Sequence, residues 1–220
     1  MRARPWLDGW AVGHAQSTRR IRPGSTARWV PTGRLSEGDR MQTYIALFRG
    51  INVGGRNKLP MKDLVVTLEN VGCRDVATYI QSGNAVFRSE EHDAALLAEK
   101  IGAAIRERHG FEPRVLLLES EEMGRAMRSN PFPEAESEPK TLHLYFLASP
   151  SERPDLDALE GLKGEGESFV LGDDVFYLHA PDGIGRSKLA AGVEKLLGVP
   201  TTARNWRTVC KVMEMARQRG

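Results

Sequence analysis

The chain has 220 residues, 40% of them hydrophobic and 27% charged, a composition ordinary for globular proteins that excludes a low-complexity chain. Two cysteines are too few for a disulfide scaffold, and no apolar run approaches the roughly 18 residues of a membrane span. The net charge of +2 is uneven: residues 1–40 hold eight arginines against Asp8, Glu37 and Asp39, and the remainder holds 23 basic and 26 acidic residues, a net of −3.

That acidic remainder argues against a nucleic-acid partner, since the basicity belongs to the first 40 residues. Those residues show neither helical nor strand periodicity and are rich in Arg, Gly, Pro and Ser. They read as a disordered extension or a mis-assigned start, with the native protein beginning at Met41; a functional basic tail is the alternative. Cys73 and Cys210 stand in apolar surroundings and read as buried, reduced thiols, which fits the cytoplasm.

From Met41 the pattern is regular. Thr43–Arg49 is expected to be a strand, Pro60–Val71 a helix, and Asp75–Gln81 and Ala85–Arg88 a hairpin around Ser-Gly-Asn. Asp93–His109 has helical apolar spacing, Pro113–Leu118 is a strand, and Ser120 is expected to cap a short helix ending at Arg128. After a proline-rich acidic connector the order repeats. Strand Thr141–Leu147, helix Pro154–Leu162, strands Ser168–Leu171 and Val175–His179, helix Arg186–Leu197, extended Val199–Ala203 and a helix from Asn205 follow. The expected fold is α+β, with two ferredoxin-like βαββαβ halves at residues 41–130 and 141–220 joined by 131–140. Each half is followed by an extra helix, and the antiparallel sheets carry helices on one face.

Two glycine-rich loops hold the candidate binding chemistry. "RGINVGGRNK" joins a strand to a helix, a position where backbone N–H groups can hold an anion. Its spacing is neither G-x-G-x-x-G nor that of a P-loop, and Pro60 removes one donor. Ferredoxin-like topology sets this loop beside the "YIQSGN" hairpin. Arg49, Asn52, Gly54, Gly55, Lys58, Gln81, Ser82 and Asn84 are therefore expected to converge on one hollow suited to a phosphate or carboxylate. In the second half "HAPDGIGRSKL" supplies Arg186, Ser187 and Lys188. The same topology brings Arg204, Asn205 and Trp206 to its border. Against this stand plainer roles: structural turns for the glycines, a helix cap for Ser187 and a packing anchor for Trp206.

Metal-ligand spacing and nucleophile motifs are missing from the sequence, and no cofactor is expected. Whether the chain is an enzyme is left open by its residues. The strings "YIALFRGINVGG", "TYIQSGNAVF", "NPF", "PDGIGRSKL" and "RNWRTV" resemble, in order, the bacterial domain-of-unknown-function family 1697. That resemblance implies two ferredoxin-like halves and a start at Met41, with Leu59-Pro60 a mild departure; it implies no activity. Binding of a small anionic molecule is the first functional reading and a non-catalytic protein-interaction module the second. A third, RNA binding on Tyr44, Phe48 and Phe87 as an RRM-like platform, lacks the matching third-strand motif.

Overall fold

Apolar residues run unbroken from Tyr44 to Phe48 in β1 (Gln42–Arg49), and its two faces feed two different cores. In the computed structural model, which describes residues 41–219, Tyr44, Ala46 and Phe48 join one core while Ile45 and Leu47 join another. The expectations for residues 1–40 lie outside the described residues.

β1 is followed by α1 (Met61–Asn70), β2 (Arg74–Tyr79), β3 (Asn84–Ser89), α2 (Ala94–His109), β4 (Arg114–Glu119) and α3 (Ser120–Arg128). The strands form an antiparallel sheet in the order β2-β3-β1-β4, with Leu47 opposite Asn84 on one side of β1 and opposite Leu116 on the other. The second half repeats this with β5 (Leu142–Leu147), α4 (Leu156–Gly161), β6 (Ser168–Leu171), β7 (Val175–His179), α5 (Lys188–Leu197), β8 (Thr201–Asn205) and α6 (Trp206–Arg217). Its sheet has the equivalent order β6-β7-β5-β8. Two ferredoxin-like halves are therefore present, as the strand–helix order implied.

Local chemistry sets the helix ends. The Asp93 carboxylate accepts from the Leu96 N–H at 3.0 Å to start α2, and Gly110 ends it at φ 77°. Ser187 caps α5 through the Ala190 N–H, and Asn205 caps α6 through the Thr208 N–H. One expected cap moves: Ser120 is the first helical residue of α3 and Glu119 stands at the cap, its N–H bonded to the Glu122 carboxylate at 2.7 Å.

α1 and α2 cover one face of the first sheet, burying Leu64, Leu68, Leu97, Ile101 and Ile105 against Phe48 and Phe87. α4 and α5 do the same for the second sheet with Leu159, Leu189, Val193 and Leu197. The extra helices account for the opposite faces. α3 and α6 pack together, and α6 lies across β1, β2 and β3 of the other half. Ile45, Leu47 and Val86 thereby share a core with Leu144, Phe146, Tyr177, Trp206 and Val209. The connector contributes a 3-10 turn, Pro133–Ser137, whose Ala135 is buried in that same core while its glutamates stay exposed.

This layering overturns the RNA-binding platform. Tyr44, Phe48 and Phe87 are at most 1% exposed beneath α1 and α2. The other face of their sheet, where bases would stack, is covered by α6.

Candidate functional site

The first glycine loop is built by asparagines as much as by glycines. Gly50, Asn52, Gly54, Gly55 and Asn57 all have positive φ, a region that Gly and Asn enter most readily. The chain turns back at Val53, whose carbonyl accepts from the Arg56 N–H at 3.0 Å. Asn52 ties the loop to the hairpin: its amide donates to the Leu59 and Gln81 carbonyls, both at 2.9 Å, and its oxygen accepts from the Leu59 N–H. Phe48 N–H donates to the Gly83 carbonyl at 2.8 Å. Loop and hairpin therefore lie side by side, as the topology required.

The space between them is filled from the other half. Arg204, at the end of β8, extends its guanidinium into the first half. Nε donates to the Asn84 side-chain oxygen, and Nη2 to the carbonyls of Phe48 at 2.7 Å, Gly83 at 2.9 Å and Ser82 at 3.2 Å. Nη1 donates to its neighbour Ala203 at 2.8 Å. All these acceptors are neutral. Burial alone lowers the Arg204 pKa, to about 10, which still leaves a full positive charge near neutral pH.

Arg49 reaches the opposite way, from β1 into the second half. It pairs with Glu194 of α5 and donates to the Thr201 carbonyl at 2.9 Å. Burial pushes the Glu194 carboxyl up. The Thr201 N–H, the bond and charge of Arg49 and the charge of Arg114 outweigh it and hold the carboxyl below the usual range.

An open cleft of about 330 Å³ lies between the glycine loop and α5, lined by Arg49, Ser82, Tyr145, Ala191, Glu194 and Arg204 among others. Two guanidinium groups face one carboxylate there. Tyr145 also lines the cleft; burial, with the charge of Glu167, pushes its phenol up to about 12, so it stays protonated.

The sequence-predicted residues separate into groups. Arg49, Ser82 and Arg204 line this cleft. Asn52 and Asn84 stand behind it and brace it, their side chains bonded to Leu59, Gln81, Tyr79, Ser82 and Arg204. Gly54 and Gly55 shape the turn, and Lys58 and Gln81 are exposed outside the cleft's lining. Arg186, Ser187 and Lys188 line a different cleft of about 790 Å³ beside Lys163, which also carries Glu165, Glu167 and Asp182. The two glycine loops thus serve two clefts.

Arg204 does not border the second loop, because β8 carries it toward β1. Asn205 is engaged as the α6 cap, and Trp206 is 5% exposed in the central core. Both are structural, which corrects their expected place at a binding border. Tyr145 and Glu194 escaped sequence reasoning. Tyr145 lies mid-strand among apolar residues, and only the one-turn offset of Glu194 from Ala190 and Ala191 sets it on the face beside the Leu189–Val193–Leu197 stripe.

Fold and site together define an α+β protein of two ferredoxin-like halves sharing one core, with a cationic cleft where the halves meet. The chain belongs to the family described as "Protein of unknown function (DUF1697)", whose model matches residues 41–177. The matched span holds the first glycine loop and the hairpin and stops short of Arg186–Lys188 and Arg204. Among solved structures, the chain is similar to the conserved bacterial protein SP0830 from Streptococcus pneumoniae. The two are 27% identical with a TM-score of 0.61, over 81% of this chain and 99% of that one. No curated protein matches the chain. Among the described residues no helix is long and apolar enough to cross a membrane, and no cluster of three metal-ligating side chains occurs.

Proposed function

We propose that the protein binds a small anionic ligand, a carboxylate or phosphate, in the cleft between the first glycine loop and α5. The observation that carries this reading is Arg204, a guanidinium lining the cleft whose hydrogen-bond partners among the described residues are all carbonyl oxygens and never a carboxylate. Such a charge attracts an anion more strongly than an exposed one does, because water screens it less. Arg49 supplies a second cation, shared with Glu194. The Ser82 hydroxyl and the Tyr145 phenol are neutral donors beside them. Glu194 is held ionised and Tyr145 protonated, so the chemistry suits recognition better than proton transfer near neutral pH. The second cleft fits an anion less well, because three carboxylates line it with its cations.

A thermal-shift screen with inorganic phosphate, sugar phosphates, nucleotides and small carboxylates tests the reading. A ligand at one hundred times its Kd stabilises the fold by about 2.7 kcal/mol, which is a readily measured rise in Tm. The shift should be lost in Ala191→Trp, which fills the cleft from an exposed helix position, and reduced in Arg49→Ala. The reading fails if no anion raises Tm, or if Ala191→Trp responds as the wild type does.

A further inference from the structure

A separate groove of about 560 Å³ runs between β4 and the β6–β7 hairpin. Apolar side chains floor it, among them Leu118, Ala126, Phe146 and Tyr177. β4 is an edge strand, so part of its backbone N–H and C=O groups face away from β1 with no strand among the described residues to pair them. Three consecutive residues, Leu116, Leu117 and Leu118, line the groove. Their side chains alternate between faces: Leu116 and Leu118 pack on the central core, Leu117 on the core under α1 and α2. Only the backbone edge of the strand presents all three to one groove. On the facing side β6 is the edge of the second sheet, and its Val170 is 42% exposed.

The rim supplies the charge. Glu122, Asp173 and Asp174 are exposed there against a single cation among the described residues, Arg125. Neither aspartate joins an ion pair among the described residues. We infer that this groove receives an extended, basic segment of a partner protein, which pairs with β4 as an added strand. Open strand edges recruit main-chain hydrogen bonds, and the pockets beside them select alternate side chains. The occupant therefore carries apolar residues at every second position, with Lys or Arg beside Asp173 and Asp174. A second copy fits poorly, because a two-fold contact would set one acidic rim against another.

The test uses the full chain and a fluorescein-labelled nonapeptide of alternating Lys and Val, followed by anisotropy and by hydrogen exchange. The peptide should bind saturably, slow the exchange of amides between residues 114 and 119, and bind about tenfold more weakly to Asp173→Lys/Asp174→Lys. The same peptide with alternate amides N-methylated, which removes one edge of donors without changing charge, should also lose about tenfold or more. A Glu–Val peptide should not bind. The inference is overturned by absence of saturable binding, by equal affinity of the N-methylated peptide, by unchanged exchange in β4 on binding, or by sedimentation showing a dimer of the chain that the peptide does not dissociate. Ala191→Trp should bind the peptide like wild type, which separates this groove from the anion cleft.

Discussion

At the scale of single residues, the hairpin after β2 combines two demands that pull in opposite directions. Gly83 has φ 81°, and a Cβ there would stand 2.7 Å from Phe48 Cβ and 2.6 Å from Ile51 Cδ1. The isoleucine tip has room to turn away, whereas a Cβ is fixed by its backbone. Gly83→Ala should therefore cost about 2 kcal/mol or more, from overpacking together with left-handed strain. Ile80 is the reverse case, a β-branched residue at φ 50° that is 49% exposed, so only half of its surface is buried to offset the strain. Ile80→Gly should raise stability by about 1 kcal/mol. Urea melts of both variants check the pair, and a Gly83→Ala protein as stable as wild type would remove the close approach from the account. His143 is quieter: burial lowers its pKa and its Nε2 has no partner among the described residues, so it packs as a neutral ring.

At the scale of elements, the tie between β1, α5 and β8 has a pH signature. The Glu194 carboxyl is held low in the fold. Its contribution is thus fully present above the unfolded carboxylate range, near 4.3, and is lost as pH falls through its lower folded pKa. Tm measured from pH 7 to pH 3 should fall more steeply for wild type than for Glu194→Gln, with the two curves converging at the acid end. The pair is partly exposed, so added salt should shrink the difference. Parallel curves would show that Arg49 and Glu194 are not coupled in solution. The same region shows what a sequence makes legible. Periodicity and caps locate every strand and helix to within about two residues, because each is decided by neighbours a few positions away. The juxtaposition of "RGINVGG" with "QSGN" follows from ferredoxin-like topology alone. The occupant of the gap between them does not. Arg204 lies 120 positions from Asn84, and nothing local distinguishes an arginine that enters the other half from one that faces water. Glu194 and Tyr145 are hidden for the same reason.

At the scale of the whole molecule, the central core decides how the protein unfolds. Ferredoxin-like halves are often pictured as modules, each with a sheet and two helices. Here each half leaves one sheet face apolar, and α6 of the second half covers β1, β2 and β3 of the first. Tyr177 reaches across as well, its hydroxyl donating to the Ala126 carbonyl of α3 at 2.8 Å. Separating the halves would expose Ile45, Leu47 and Val86 on one side and Leu144, Phe146 and Val209 on the other. Neither half has a replacement for that contact, so both should open in one cooperative step. Native-state hydrogen exchange gives the test. Amides of Ile45–Leu47 in β1 and of His143–Phe146 in β5 should report the same opening free energy and the same denaturant dependence. Leu144→Ala sharpens it. Leu144 belongs to the second half and is fully buried in the shared core, so its truncation should cost about 2–5 kcal/mol. β1 should register that whole loss although no residue of the first half has changed. If β5 loses protection while β1 keeps its wild-type value, the halves open independently and the shared core is not what unites them.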